Sequence, residues 1–179
     1  MTTELKLHLG CGKRHFAGWD SVDKADFQHI KSNNITELPY ETNSADVIYA
    51  SHVLEYFDRE EVVSVLNEWR RVLKEDGTLY LSVPDFGTMS RLYQEARIPL
   101  HKFVGPLYGK MTAGGDMIYH KTVYDYSSLG ELLRFVGFKS IEPWTRKELS
   151  DLMKDKSWDD HSQAKVNGEL ISLNISCKK

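Results

Sequence analysis

Three residues near the amino terminus carry the first chemical signal. In the stretch LKLHLGCGKRHFAGWDSVD, Leu5 to Asp23, an apolar alternating segment runs into Gly10 and Gly12, and Asp23 closes a second short segment, DSVD. Glycine lets a backbone turn sharply and approach a ligand without interference from a Cβ. A carboxylate accepts hydrogen bonds from two neighbouring hydroxyls at once. In an open parallel sheet, ligands lie beyond the carboxyl ends of the strands, and the first strand borders that crevice. A glycine turn after one strand and an acid at the end of the next therefore form a candidate nucleoside site, with Asp23 on the ribose. The competing dinucleotide loop, G-x-G-x-x-G, needs a glycine where the chain has His15 and an acid about 20 residues on, roughly twice the distance at which Asp23 arrives. The plainer alternative is an ordinary turn followed by a surface aspartate.

Proton chemistry at the same rim has three candidates. His52 follows the apolar run DVIYAS, Asp85 follows TLYLSVP, and His120 lies in an irregular segment ahead of a late helix. A histidine near its ordinary pKa of about 6.5 suits proton removal at neutral pH. Each has a simpler reading: His52 binds a carbonyl or the ligand, His120 packs a loop or bonds the substrate, and Asp85 caps the next helix. Tyr93, Tyr108, Tyr119 and Tyr124 either line an acceptor pocket or pack in the core. The triplet Asp159–Asp160–His161 offers oxygen and nitrogen ligands, but in a polar stretch it reads as solvated surface, and no metal is expected. Cys11 reads as a small residue in a tight loop and Cys177 as core.

The elements that must position these groups follow from periodicity. Leu5, Leu7 and Leu9 alternate with Lys6 and His8 in a first strand, DSVD makes a second, and DVIYAS is a continuous apolar run expected of a strand buried on both faces. From Asp58 the period changes. Val62, Leu66, Trp69 and Leu73 form one helical stripe, Asp58 and Glu61 a capping box, and Arg70, Arg71 and Lys74 a basic carboxyl end before Gly77. TLYLSVP is a further strand. Ser128 and Glu131 are expected to cap a helix carrying Leu129, Leu132, Leu133 and Val136 and stopped by Gly137. FKSIEPW and ELISLNISCKK are closing strands. Strands alternating with helices predict a three-layer α/β sheet, and residues 1–179 read as one domain with insertions at about 86–126 and 146–168.

Composition limits the function classes. With 179 residues, 41% hydrophobic and 27% charged, the chain can bury a sizeable core. A net charge of −3 gives no broad positive field, so nucleic acid is not an expected partner. Two cysteines without a C-x-x-C pair argue against a disulfide framework. No signal-peptide profile and no membrane-length apolar run are seen, so a cytoplasmic protein without membrane insertion is expected.

The segments LHLGCG, VD, ITELPYETNSADVIYASHVLEYF, EWRRVLKEDGTLYLSVPDF and LLRFVGFKSIEP, in that order, resemble those of class I S-adenosylmethionine-dependent methyltransferases of the small type 11 kind. The resemblance implies a Rossmann-like three-layer sandwich with a mostly parallel seven-stranded sheet and an antiparallel last strand. It also implies S-adenosyl-L-methionine as cofactor. Gly10, Cys11 and Gly12 would lie beneath its methionine part, Asp23 would hold the ribose, and Lys24 would stand beside the adenine. Asn34 and the backbone of Ile35 would meet the adenine edge, and Ser51 and His52 would border the methionine and the transferable methyl. Two features depart from the family: His8 stands where an acid is usual, and the early helices are shortened, with KRHFAGW in their place. YDYSSL and ISLN are similar to segments of methyltransferases from sugar and surface-glycan pathways, implying a small-molecule or sugar-containing acceptor. The rivals are a non-catalytic S-adenosylmethionine-binding protein of the same fold and a nicotinamide oxidoreductase.

Overall fold

The computed structural model describes residues 4–154 and 163–179. The chain begins with β1 (Lys6–Leu9), β2 (Asp20–Val22), β3 (Ile30–Ser32) and β4 (Ala45–Ser51). Then come α1 (Glu61–Val72), β5 (Leu73–Pro84), α2 (Phe86–Gln94) and α3 (Val104–Tyr108). A hairpin of β6 (Met111–Ala113) and β7 (Asp116–Ile118) precedes α4 (Tyr126–Val136) and β8 (Lys139–Pro143). The chain closes with α5 (Arg146–Met153), the short pair β9 (Lys165–Val166) and β10 (Glu169–Leu170), and β11 (Ser172–Lys178).

Seven strands form one sheet in the order β3-β2-β1-β4-β5-β11-β8. Its pairings are parallel except those of β11, which runs antiparallel to β5 and β8. The order reverses between β1 and β4, so the crevice expected of such a sheet opens at their carboxyl ends. The expected sheet, mostly parallel with an antiparallel last strand, is the one observed.

The two faces are covered by different means. Leu7, Leu9, Ile48, Ala50, Leu79 and Leu81 point to one face, where the α1 stripe of Val62, Leu66 and Trp69 and the α4 stripe of Leu129 and Leu133 close over them. On the other face the shortening of the early helices is complete: among the described residues, no helix precedes the 3-10 turn at Leu54–Tyr56. Phe16 and Trp19, from the loop between β1 and β2, cover that face together with Trp144 and with Leu149 and Met153 of α5. Period-two alternation in β4 sends Val47 and Tyr49 to this second cluster and Ile48 and Ala50 to the first.

Three local expectations change in detail. Asp58 and Glu61 do form a reciprocal cap, Asp58 accepting the Glu61 N–H at 2.8 Å and Glu61 accepting the Asp58 N–H at 3.1 Å. The helix they open, however, ends at Val72 and not near Gly77, because Leu73 already pairs with Ala45 as the first residue of β5. Gly77 lies in the irregular part of that pairing, where a Cβ would stand 2.9 Å from the Lys74 carbonyl oxygen. The cap of α4 is Asp125, which accepts the Ser128 N–H at 2.8 Å while the Ser128 hydroxyl accepts the Asp125 N–H at 3.0 Å; Ser128 is thus the returning partner. Part of the polar stretch 146–168 forms α5, which buries Leu149 and Met153. The triplet at Asp159–His161 lies outside the described residues.

Candidate functional site

The glycine turn and the acid are joined directly. Gly10 has φ +66°, and a side chain there would overlap Val53 Cγ2, just beyond β4. Only glycine accommodates both the left-handed backbone and that close approach. Gly12, at φ +55°, donates its N–H to Asp23 Oδ2 at 2.7 Å, and Ala25 donates to Oδ1 at 2.8 Å. Each carboxylate oxygen retains acceptor capacity for a second donor, so Asp23 fits a pair of vicinal hydroxyls. His29 Nε2 donates to the Gly12 carbonyl at 3.2 Å and so also braces the turn. Cys11 is buried, and its thiol pKa is pushed up to about 11 by burial and then by the charge of Asp23.

Gly10, Asp23 and Lys24 open onto a cavity of about 780 Å³ that is also lined by Asn34, Ile35, His52, Val53, Tyr56 and Phe57. That volume suits a nucleoside-sized ligand with room beyond it. At one end, Asn34 Oδ1 accepts both the N–H and the hydroxyl of Thr36, at 2.9 and 2.7 Å, which occupies both of its lone pairs. Trp69 Nε1 donates to the Ile35 carbonyl at 2.8 Å and ties this loop to α1. The hairpin contributes Met111, Ala113 and Ile118 to the opposite wall. Lys24 reaches that hairpin and pairs with Asp116 at 2.6 Å.

His8, in the position where an acid was noted as usual, belongs to the opposite side of the sheet. It is 1% exposed and stacks between Phe16 and Tyr49, at ring centroid distances of 5.0 and 5.2 Å. Neither ring nitrogen has a hydrogen-bond partner among the described residues. Burial, with smaller contributions from Arg14 and His29, lowers its pKa to about 3, so the ring is neutral. With no helix after β1, Phe16 packs onto the strand and makes this position interior.

The carboxyl end of β4 holds a second cluster. His52 adopts φ +54°, an uncommon conformation for a non-glycine residue. Its Nδ1–H donates to Glu55 Oε1 at 3.0 Å, and the Ser172 hydroxyl meets its Nε2 at 2.9 Å. Ser172 Oγ also accepts the Ala164 N–H, at 2.8 Å. Acid, imidazole and hydroxyl stand in the order of a nucleophilic triad. Here the serine is buried and already hydrogen-bonded from the backbone, so the chain of bonds fixes the imidazole tautomer. Glu55 has a fully buried side chain, and its main-chain carbonyl accepts the N–H groups of Lys121 and Thr122 at 2.8 and 3.2 Å.

His120 is brought to the same carboxylate, its Nε2 3.9 Å from Glu55 Oε1 and its Nδ1–H on the Pro106 carbonyl at 2.9 Å. Its ring meets Tyr56 edge-on at 4.7 Å. The nearby Tyr124 hydroxyl has its pKa raised by burial and by the charge of Glu55. Asp85 stands apart from this carboxylate cluster as the cap of α2, accepting the Thr88 N–H at 3.2 Å and its hydroxyl at 2.7 Å. Ser51 ends β4 beside Ser82.

The structure thus gathers Gly10, Asp23, Lys24, Asn34, Ile35 and His52 on one cavity and groups His52 with His120 through Glu55. Sequence reasoning missed Glu55, Ser172, His29 and the hairpin. Glu55 had a signal, an acid three residues after a histidine inside an apolar segment; Ser172 had none.

A family profile described as a methyltransferase domain matches residues 18–81, beginning just after the glycine turn. A search of curated proteins returns no significant match. Solved structures match over nearly the whole chain. A SAM-dependent methyltransferase from Methanosarcina mazei aligns with TM-score 0.59 at 16% identity, covering 100% of this chain and 94% of that one. One from Archaeoglobus fulgidus gives 0.56 at 12% identity, covering 98% and 86%. The 1,6-didemethyltoxoflavin-N1-methyltransferase of Burkholderia thailandensis, with bound S-adenosylhomocysteine, gives 0.54 at 14% identity, covering 98% and 70%. Strand order, glycine turn and these alignments agree: the chain has the class I fold of S-adenosylmethionine-dependent methyltransferases.

Proposed function

We propose that this protein is an S-adenosylmethionine-dependent methyltransferase acting on a small-molecule or sugar-containing acceptor. The observation that carries the reading is Asp23, bonded to the Gly12 N–H and opening onto a cavity that Gly10 and His52 also line. When bound, the cofactor supplies an activated methyl on a sulfonium, ready for in-line displacement.

The chain's own residues then have separable tasks. Asp23 accepts the ribose hydroxyls, and the turn at Gly10, Cys11 and Gly12 lets the methionine part approach the backbone. Ile35 offers its backbone to the adenine edge, with Asn34 beside it once Thr36 yields. Lys24 serves the nucleoside end through the hairpin, and Ser51 and His52 border the methyl. Among the base candidates, His52 lines the cavity. To take a proton at Nε2, it must release the Ser172 hydroxyl, and Glu55 then stabilises the imidazolium. His120 stands beside the same carboxylate, its Nε2 3.9 Å from Glu55 Oε1, and Asp85 serves α2 as its cap. The small-molecule reading of the acceptor has a precedent in the Burkholderia enzyme named for N1 methylation of 1,6-didemethyltoxoflavin.

Calorimetric titration with S-adenosylmethionine and S-adenosylhomocysteine tests the cofactor site. Asp23→Ala is expected to weaken binding about 10- to 100-fold through loss of charge-assisted hydrogen bonds. His120→Ala is expected to spare that binding and to lower methyl transfer from labelled cofactor. No affinity of the wild-type chain for either compound refutes the reading. The second reading, a non-catalytic binder, is favoured by the neutral buried His8 in the usual acid position, and predicts binding without transfer to any acceptor.

A further inference from the structure

The β6–β7 hairpin is built as one wall of the cavity, and its tip meets the nucleoside end at Lys24. Met111 pairs with Ile118 and Ala113 with Asp116 across the hairpin, so these four side chains share one face. On that face Met111, Ala113 and Ile118 line the cavity, and Ala113 is 7% exposed. Asp116 pairs with Lys24, the residue after Asp23, at 2.6 Å and across 92 positions of sequence. The turn is Gly114–Gly115, with φ +58° and +87°, the two-residue connection that matches strand twist. Gly114 also approaches the Lys24 stem closely: a Cβ there would stand 2.8 Å from Lys24 Cγ.

We propose that this hairpin is a nucleoside clamp, closing the cavity over the ribose end through the Lys24–Asp116 pair and swinging away for the ligand to exchange. The proposal rests on the nucleoside reading of the cavity given above. Two features support a clamp over a fixed wall. Its tip meets Lys24 through both Asp116 and Gly114, while its base runs into the His120–Lys121 segment anchored on the Glu55 carbonyl, so the tip guards the nucleoside and the fixed base borders the acceptor side. The closing ion pair is also solvent-exposed, with side chains 53% and 69% accessible, and such pairs hold weakly and yield to salt. A closure that must reopen in each cycle requires that weakness.

The test reads the release of radiolabelled S-adenosylhomocysteine chased with excess unlabelled compound. Asp116→Asn is expected to speed release at low salt by about two- to fivefold. High salt should bring the wild-type chain up to the rate of the variant. A Lys24→Cys/Gly114→Cys variant places a sulfur at residue 24 near a Cβ at residue 114, so oxidation should pin the tip. Its oxidised form is expected to release bound ligand at least about tenfold more slowly than its reduced form, which also controls for the strain of a side chain at Gly114. Equal release rates in the two redox forms, with the disulfide verified by mass, overturn the clamp, as does an unchanged low-salt rate in Asp116→Asn. Failure of the wild-type chain to bind S-adenosylhomocysteine removes the nucleoside reading and the clamp with it. Binding with redox-insensitive release removes the clamp alone.

Discussion

Lowering the pH should weaken the fold in part through His8. Its ring is 1% exposed, has no hydrogen-bond partner among the described residues, and has its pKa lowered to about 3 from an ordinary 6.5. The native state holds this ring neutral, whereas the unfolded chain takes up a proton below about pH 6.5. The stabilisation is therefore fully present above pH 6.5 and is lost as pH falls through the folded pKa. At 1.36 kcal/mol per unit, the loss is about 2 kcal/mol at pH 5 and on the order of 5 kcal/mol below pH 3. Urea unfolding followed by circular dichroism in steps from pH 8 to pH 5 measures it, with His8→Leu as the reference so that all other titrations cancel. Leucine also removes two buried ring nitrogens without partners, so the variant should be at least as stable as the wild type at pH 8. The gap should widen by about 2 kcal/mol in its favour by pH 5. Parallel stability curves for the two proteins over this range would refute the reasoning.

Two substitutions probe the rest of the frame. Gly10→Ala adds a left-handed alanine and an overlap with Val53 Cγ2, and should cost about 2–4 kcal/mol in urea unfolding. Adding Val53→Ala should recover the steric part and leave the backbone part, whereas wild-type stability in the single variant contradicts the close approach. Asp85→Ala should cost about 1 kcal/mol through loss of the α2 cap, with S-adenosylhomocysteine affinity unchanged. Unchanged stability together with lost methyl transfer would instead give Asp85 a role in the reaction.

Much of the frame was legible because its signals are local. The alternation of Leu7 and Leu9, the unbroken run at Val47–Ala50 and the stripe of Val62, Leu66 and Trp69 each depend on residues a turn or a pleat apart. Gly10 and Asp23 were readable for the same reason, since each ends its own strand and β1 pairs with β2 directly. The cap of α4 lies three residues ahead of the expected Ser128–Glu131 pair, because Asp125 and Ser128 bond reciprocally at the same spacing.

Local pattern by itself therefore set every strand of the main sheet but β3, the two main helices, and the turn and acid at the proposed nucleoside end, because backbone period and glycine freedom act over a few residues. Tertiary contact alone decided that His8 faces the core, that Ser172 reaches His52 across 120 positions, and that Asp116 reaches Lys24 across 92. Such pairings form only when distant segments are packed against one sheet. A single side chain at that range leaves no periodic trace in the sequence.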